Sequence, residues 1–247
     1  MEKIVIIPTY NECENAEAII RAVMELTGEF HVLIIDDGSP DGTADIVKKM
    51  IQEFQGRVFL EERKGKLGLG TAYIHGFKWC LNKGYAFIFE MDADFSHNPK
   101  DLIRLHEACS NGAGLSVGSR YVAGGALENW PSDRIFLSKG ASLYTRIITG
   151  MPVMDPTAGF VCYRKELLEK INFNAIQFIG YAFQIEMKFT AWKLGFTIKE
   201  VPITFVDRKL GASKMSKGII QEGIIGVLKL KWNSLQKGYL SRIRNSN

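Results

Sequence analysis

Charge of one sign is scarce in this chain: 31 Lys and Arg stand against 27 Asp and Glu over 247 residues, a formal balance of +4. That is too slight to mark a nucleic-acid-binding surface. Long apolar runs are also missing, and no window reaches the roughly 18 unbroken apolar residues of a membrane span. Cysteine is sparse. Cys13, Cys80, Cys109 and Cys162 stand far apart without a CxxC pair, which excludes the usual zinc spacings and a disulfide framework. The first residues enter an apolar run directly, without a basic region, apolar stretch and small-residue cleavage site. A reduced, cytoplasmic protein is the expectation. With only 7 prolines and 46% hydrophobic residues, low complexity and disorder are excluded over most of the length.

What is present is an alternation. Residues 3–8 (KIVIIP) form a short, β-branched apolar run of the kind a buried parallel strand requires. Cap chemistry at 11–14 opens a helix to about Leu26, and 31–35 is a second strand. A helix to about Phe54, a strand at 58–61, a helix at 68–80 and a strand at 86–91 follow. Such alternation predicts an α/β fold with a mainly parallel sheet and helices on both faces. In such sheets ligands bind beyond the carboxyl ends of the strands. Polar clusters fall at those ends: 9–12, 36–41 and 92–97.

After Gly118 the pattern loosens, and the Gly- and Pro-bearing stretches 122–131 and 150–159 read as functional loops. A helix is expected at 181–194 and a strand at 197–205. Ile219, Ile220, Ile224, Ile225, Leu228, Trp232 and Leu235 recur at helical spacing over 218–235. That helix reads either as a core element or as one lying on a membrane. The late excess of Lys and Arg, from Lys214 to Arg244, suits an anionic membrane surface or a solvated tail.

Asp92–Ala93–Asp94 carries the strongest chemistry. A bare pair of this kind recurs by chance, but this one follows the apolar strand FIFEM, where two carboxylates can hold one hard divalent cation. A nucleoside diphosphate requires that cation as its charge develops on departure. Asp36 and Asp37 end the second strand in DDGSPDGT; turn chemistry explains the composition, but adjacent carboxylates repel unless one meets a donor. Arg120, Arg134 and Arg208 offer planar forks for phosphate. His97 reads as a base or ligand, or as turn packing. Gly68 and Gly70 lie in KGKLGLG, which matches neither GxxxxGK[ST] nor GxGxxG, and this disfavours a P-loop nucleotidase and a Rossmann dehydrogenase.

Taken together, PTYNE at 8–12, DDGSPDGT at 36–43, DADFSH at 92–97, GSRY at 118–121, DPTAGF at 155–160 and RKLGASK at 208–214 resemble the family 2 inverting glycosyltransferases. Within them the motifs are most like those of the dolichyl-phosphate or polyprenyl-phosphate mannose synthases without transmembrane helices. The resemblance implies a GT-A fold with a Rossmann-like nucleotide-binding half (1–117), an acceptor half (118–216) and an amphipathic, basic tail (217–247). It implies that Pro8, Tyr10, Glu12, Asp37, Asp92 and Ala93 hold the nucleotide sugar, with Arg208 and Lys214 closing over it. Asp92 and Asp94 would hold Mg2+ or Mn2+; Ser96 stands where some relatives have a metal-binding Gln, and would reach the ion through water. Arg120, Arg134 and Ser138 would cradle the acceptor phosphate, with Asp94, Arg120 and Arg134 the catalytic set.

The implied reaction moves mannose from GDP-mannose to dolichyl or polyprenyl phosphate, on the cytoplasmic face of a membrane that the protein touches peripherally or through a small membrane subunit. A phosphate nucleophile is already largely ionised, its second pKa being about 6, and needs no strong base. A hydroxyl acceptor would need one, for which Asp155 or Glu186 stands available. The alternatives are a different donor such as UDP-glucose, a polysaccharide acceptor, a non-catalytic nucleotide-sugar-binding subunit and a nucleotidyltransferase.

Overall fold

A computed structural model describes residues 2–180, 182–207 and 217–245, with side chains described from 223 onward in the last segment. β1 (Lys3–Thr9) is flanked by β2 (Phe30–Asp36) on one side and β4 (Phe87–Glu90) on the other, both parallel to it. β3 (Val58–Glu62) extends the sheet beyond β2, and β7 (Val161–Arg164), β5 (Leu115–Ser119) and β8 (Ile198–Pro202) extend it beyond β4. The order is β3-β2-β1-β4-β7-β5-β8, with β7 antiparallel to both neighbours. Strands from beyond residue 118 therefore complete the same sheet that begins with β1.

Burial on both faces explains the unbroken apolar run of β1. Val5 and Ile7 face α1 (Ala16–Met24), α2 (Thr43–Glu53) and α4 (Asp101–Ser110); Ile4 and Ile6 face α3 (Leu69–Asn82), α6 (Lys165–Lys170) and α7 (Ala182–Lys193). The chain winds outward through β2 and β3, then returns to the other side of β1 as β4. This reversal opens a crevice between the carboxyl ends of β1 and β4. Asp92 and Asp94 lie just past β4, and 9–12 just past β1.

The expected strand at 197–205 is two. Pro202 ends β8, and Ile203 donates its N–H to Ser119 of the main sheet while its carbonyl accepts from Ala126. The chain then continues as β9 (Thr204–Val206), parallel to β6 (Ala126–Glu128) in a separate pair. Residues 132–149, which follow the loop-like stretch, form α5 (Ser132–Thr149). Its small polar residues Ser142, Thr145 and Thr149 face inward, and its apolar Phe136, Leu143 and Ile147 face outward. Thr145 and Thr149 satisfy their hydroxyls on carbonyls of their own helix, at 2.8 and 2.6 Å.

α8 (Lys217–Ser234) packs beside α5, with Tyr144 Oη donating to the Ile224 carbonyl at 3.1 Å. Val227 and Leu230 are buried, whereas Ile225, Leu228 and Trp232 are exposed. α8 thus packs on one face and leaves an apolar stripe on the other; Ile219 and Ile220 lie outside the described side chains. Among the described residues no helix is long and apolar enough to cross a membrane.

Under this end of the sheet, Glu186 of α7 is buried and accepts the N–H groups of Gln177 and Phe178 on one carboxylate oxygen, both at 2.9 Å. Burial raises its pKa to about 7, against those two N–H groups, which favour the charged form. An unfolded chain loses that proton near pH ~4.3. Between the two values the folded state holds a proton the unfolded state has lost, so stability is full below the lower value and declines as pH rises through the upper. Glu186→Gln keeps an oxygen for both N–H groups and removes the titration. Its Tm should fall less than the wild type's between about pH 5 and about pH 8. Parallel Tm curves would contradict this.

Candidate active site

The loops after β1 and β2 are built against each other. Asp36 is pinned inward, accepting from Thr9 Oγ1 at 2.9 Å, from Ser39 N at 2.9 Å and from Ser39 Oγ at 2.6 Å. The same turn then supplies acceptors to the next backbone: Ser39 Oγ to Asn11 N, Thr43 Oγ1 to Glu12 N, and Asp41 Oδ2 to Cys13 N. Burial would raise the Asp41 carboxyl, but bonds from Thr43 and Cys13 outweigh it and bring its pKa down to about 2. Asn11 takes a left-handed φ of 57°, tolerable for Asn. DDGSPDGT is thus the template on which TYNE is laid, and Tyr10, Glu12 and Pro8 come to the rim half-buried.

Of the adjacent acids, Asp37 is the one that meets a cation. Arg63, just beyond β3, places its guanidinium 2.6 Å from Asp37 Oδ1 and donates from Nη1 to Thr71 Oγ1 at 2.9 Å. Arg63 was not singled out from the sequence; its position at the end of the third strand, in line with the other two clusters, was the available signal. Lys66 lies over the Tyr10 ring at 5.1 Å, adding positive charge to this rim. The glycines of KGKLGLG serve packing instead: Gly70 N donates to the Ile179 carbonyl at 2.8 Å, and a Cβ at Gly70 would meet the Phe183 ring at 2.7 Å.

Asp92 and Asp94 are half-buried, with Ala93 packed beneath them. Ser96 N donates to Asp94 Oδ1 at 3.1 Å, and the buried Ser96 hydroxyl makes no hydrogen bond among the described residues. No group of three or more His, Cys, Asp or Glu suited to a metal occurs among the described residues. Two hard carboxylates, with no third such ligand among the described residues, are a donor set that fits Mg2+ or Mn2+ completed by water and phosphate oxygens. His97 is packing: it is buried, stacked on Phe160 at 4.7 Å and edge-on to Phe205 at 5.1 Å. Burial lowers its pKa to about 4 and keeps it neutral.

Just past β5, Arg120 is held by Asp155, which accepts from Arg120 Nε and Nη2 at 2.7 Å each and from Arg120 N at 3.0 Å. Arg120 Nη2 also donates to Thr157 Oγ1 at 2.9 Å. Arg134, on the first turn of α5, donates to both oxygens of Asp207 at 2.9 and 3.0 Å and lies over the Trp130 ring at 3.8 Å. Tyr121 Oη donates to Ser138 Oγ at 2.7 Å, and Arg120 lies over the Tyr121 ring at 5.2 Å. The structure thus gathers Arg120, Arg134 and Ser138 through Tyr121 and Trp130. Arg208 and Lys214 lie outside the described residues.

Neither acid offered as a base for a hydroxyl acceptor is placed for it. Asp155 is fully buried beneath Arg120, and Glu186 holds the loop at 177–178. Beneath both halves runs a buried polar chain: Gln184 Nε2 donates to Glu90 at 2.7 Å, and Lys188 Nζ donates to the Ala158 carbonyl at 2.6 Å and to Gln184 Oε1 at 3.1 Å. Burial pushes the Glu90 carboxyl up and the Lys188 ammonium down, and their mutual attraction opposes both shifts.

The model of glycosyl transferase family 2 matches residues 4–172. The chain belongs to glycosyl transferase family 2. The polyprenol monophosphomannose synthase of Mycolicibacterium smegmatis is 46% identical over 98% of this chain and 89% of its own. The undecaprenyl-phosphate mannosyltransferase of Micrococcus luteus is 45% identical over 96% and 98% respectively. Among solved structures, glucosyl-3-phosphoglycerate synthase of Mycobacterium tuberculosis, with Mn2+, UDP and glucosyl-3-phosphoglycerate, superposes with a TM-score of 0.70 at 17% identity, over 94% of this chain and 80% of that one. The mannosyltransferase PcManGT of Pyrobaculum calidifontis, in complex with GDP-Man and Mn2+, gives 0.56 at 16% identity, over 96% and 74%. These likenesses show the GT-A fold of this family 2 glycosyltransferase. Its Asp92–Asp94 pair follows β4 and its Arg120 follows β5 of the same sheet.

Proposed function

We propose that this glycosyltransferase moves mannose from GDP-mannose to the phosphate of a polyprenyl or dolichyl lipid, with inversion, giving polyprenyl phosphate β-mannose. Near end-to-end similarity to two relatives named for mannosyl transfer to polyprenol phosphates supports the donor sugar and the acceptor. The observation that carries the acceptor class is the pairing of an arginine-rich acceptor side with carboxylates already committed elsewhere. A phosphate nucleophile arrives ionised, so the protein's task is to orient it and to accept charge on the leaving diphosphate. Arg120, Arg134 and Ser138 orient the acceptor oxygens. Pro8, Tyr10, Glu12, Asp37 and Ala93 hold the nucleotide, Arg63 supports Asp37, and Arg208 and Lys214 belong to the donor-binding set. Asp92 and Asp94 would hold Mg2+ or Mn2+, with Ser96 supporting Asp94 through its N–H; the bound ion would neutralise the departing diphosphate.

The lipid explains the outward apolar stripes of α5 and α8. α5 packs beside α8; Phe136, Leu143 and Ile147 of α5 and Ile225, Leu228 and Trp232 of α8 are exposed, as are Lys139 and Lys229 on the same two helices. The stripe on α5 begins two residues from Arg134, so the acceptor phosphate can reach the site while its hydrocarbon stays in the membrane. The membrane contact is therefore this face, on a cytoplasmic leaflet. Ile147→Glu with Trp232→Glu should reduce flotation with vesicles of phosphatidylglycerol and phosphatidylcholine and raise the KM for vesicle-borne acceptor. Activity on a short, water-soluble prenyl phosphate should be unchanged; equal flotation of the variant would contradict the assignment.

A further inference from the structure

An aromatic residue, Trp130, lies beside the two arginines. Trp130 ends the segment after β6, and several features fix where its ring lies. β6 is anchored by parallel pairing to β9. Asn129, immediately before Trp130, takes a left-handed φ of 62°, which redirects the chain, and Pro131 follows as the N-cap of α5. Phe205 of β9 meets the indole edge-on at 5.4 Å and is itself edge-on to His97, which stacks on Phe160. A column of rings thus runs from the turn after Asp94 to Trp130.

Two guanidiniums lie over that indole. Arg134 Cζ is 3.8 Å from the ring centroid and Arg120 Cζ is 5.7 Å from it. Two like charges this close to a common ring repel, and the negative face of an indole attracts both. Each arginine also has a carboxylate partner, Asp155 or Asp207, and those two partners come from different segments of the chain. Arg120 also lies over the Tyr121 and Phe205 rings, at 5.2 and 5.5 Å, and the indole is the ring that meets both guanidiniums among the described residues. Its Nε1 is buried and makes no hydrogen bond among the described residues, so hydrogen bonding does not explain a tryptophan here.

We propose that Trp130 is a positioning residue for the acceptor: its indole holds Arg120 and Arg134 at the separation that lets both guanidiniums engage one phosphate. This rests on the reading that those arginines bind the acceptor phosphate. The ring acts through the arginines and does not meet the reacting atoms.

The test is steady-state transfer to a polyprenyl phosphate, varying donor and acceptor separately, for Trp130→Leu and Trp130→Phe. Trp130→Leu should raise the acceptor KM about tenfold while the KM for GDP-mannose stays within about twofold. Trp130→Phe, which keeps a π face and removes an unbonded N–H, should recover most of the loss. Should Trp130→Leu fail to fold, fluorinated tryptophans placed at 130 alone weaken the ring's negative face without changing its shape; the acceptor KM should rise with each added fluorine. An unchanged acceptor KM across the series, or an equal rise in both KM values, overturns the proposal. Arg134→Ala separates the two failures. If it raises the acceptor KM while the Trp130 series does not, only the role of the indole falls; if it leaves the acceptor KM unchanged, the phosphate reading falls with it.

Discussion

Replacing Asp94 by Ala is expected to cut turnover by about three orders of magnitude, with the chain still folded. Asp94 is half-buried at the mouth of the sheet, and its departure leaves Asp92 as the remaining carboxylate of the pair. A single carboxylate holds a hard divalent ion weakly, and the diphosphate then leaves without its counter-charge. Asp94 also accepts the Ser96 N–H, so loss of the turn has to be separated from loss of charge. Asp94→Asn keeps an oxygen for that N–H and removes the charge; it should be nearly as inactive as the alanine variant. Manganese titration followed by paramagnetic resonance, in the presence of GDP, should show weakened binding in both. Substantial activity in Asp94→Asn would mean that the residue acts through the turn instead.

Arg134→Ala should raise the KM for the lipid acceptor about a hundredfold while binding of the donor nucleotide changes by less than about twofold. The size of the effect has two sources. One is the lost charge-assisted contact to the phosphate. The other is Asp207, whose two oxygens sit at 2.9 and 3.0 Å from Arg134 and whose negative charge that guanidinium would no longer offset beside an incoming anion. Adding Asp207→Asn to Arg134→Ala removes that repulsion and should recover part of the loss. Separate titrations of nucleotide and acceptor decide the matter: equal loss of both affinities would contradict the division of the site into a diphosphate side and an acceptor side.

Legibility in the sequence followed burial. β1, β2 and β4 are apolar on both faces, and the polar clusters after them stand out because they interrupt those runs at the sheet's carboxyl edge. Asp92 and Asp94 were visible for that reason. α5 was not visible as a helix, because its buried positions are Ser142, Thr145 and Thr149 and its apolar residues face out, the inverse of the pattern that marks a helix packed on a core. β9 was hidden inside the single strand expected at 197–205 because the chain stays extended past Pro202, and the break at Ile203 is a change of hydrogen-bond partner. Arg63 and Trp130 carry no mark in the sequence, because their contacts are to Asp37 and Arg134, 26 and 4 positions away in the chain. Asp155 and Glu186 looked like available bases because sequence shows the acid and conceals its partner. The two acids of DDGSPDGT divide similarly: only the fold shows that Asp36 is spent on Thr9 and Ser39 while Asp37 meets Arg63.

The most direct test of the central claim is transfer of label from GDP-[radiolabelled mannose] to undecaprenyl phosphate, with Mg2+ or Mn2+ and again with EDTA. The account predicts metal-dependent label in the organic phase, carried as a β-linked mannosyl phosphate. Label transferred equally well in EDTA, an α-linked product, or activity confined to UDP-sugars or to a hydroxyl acceptor would contradict it.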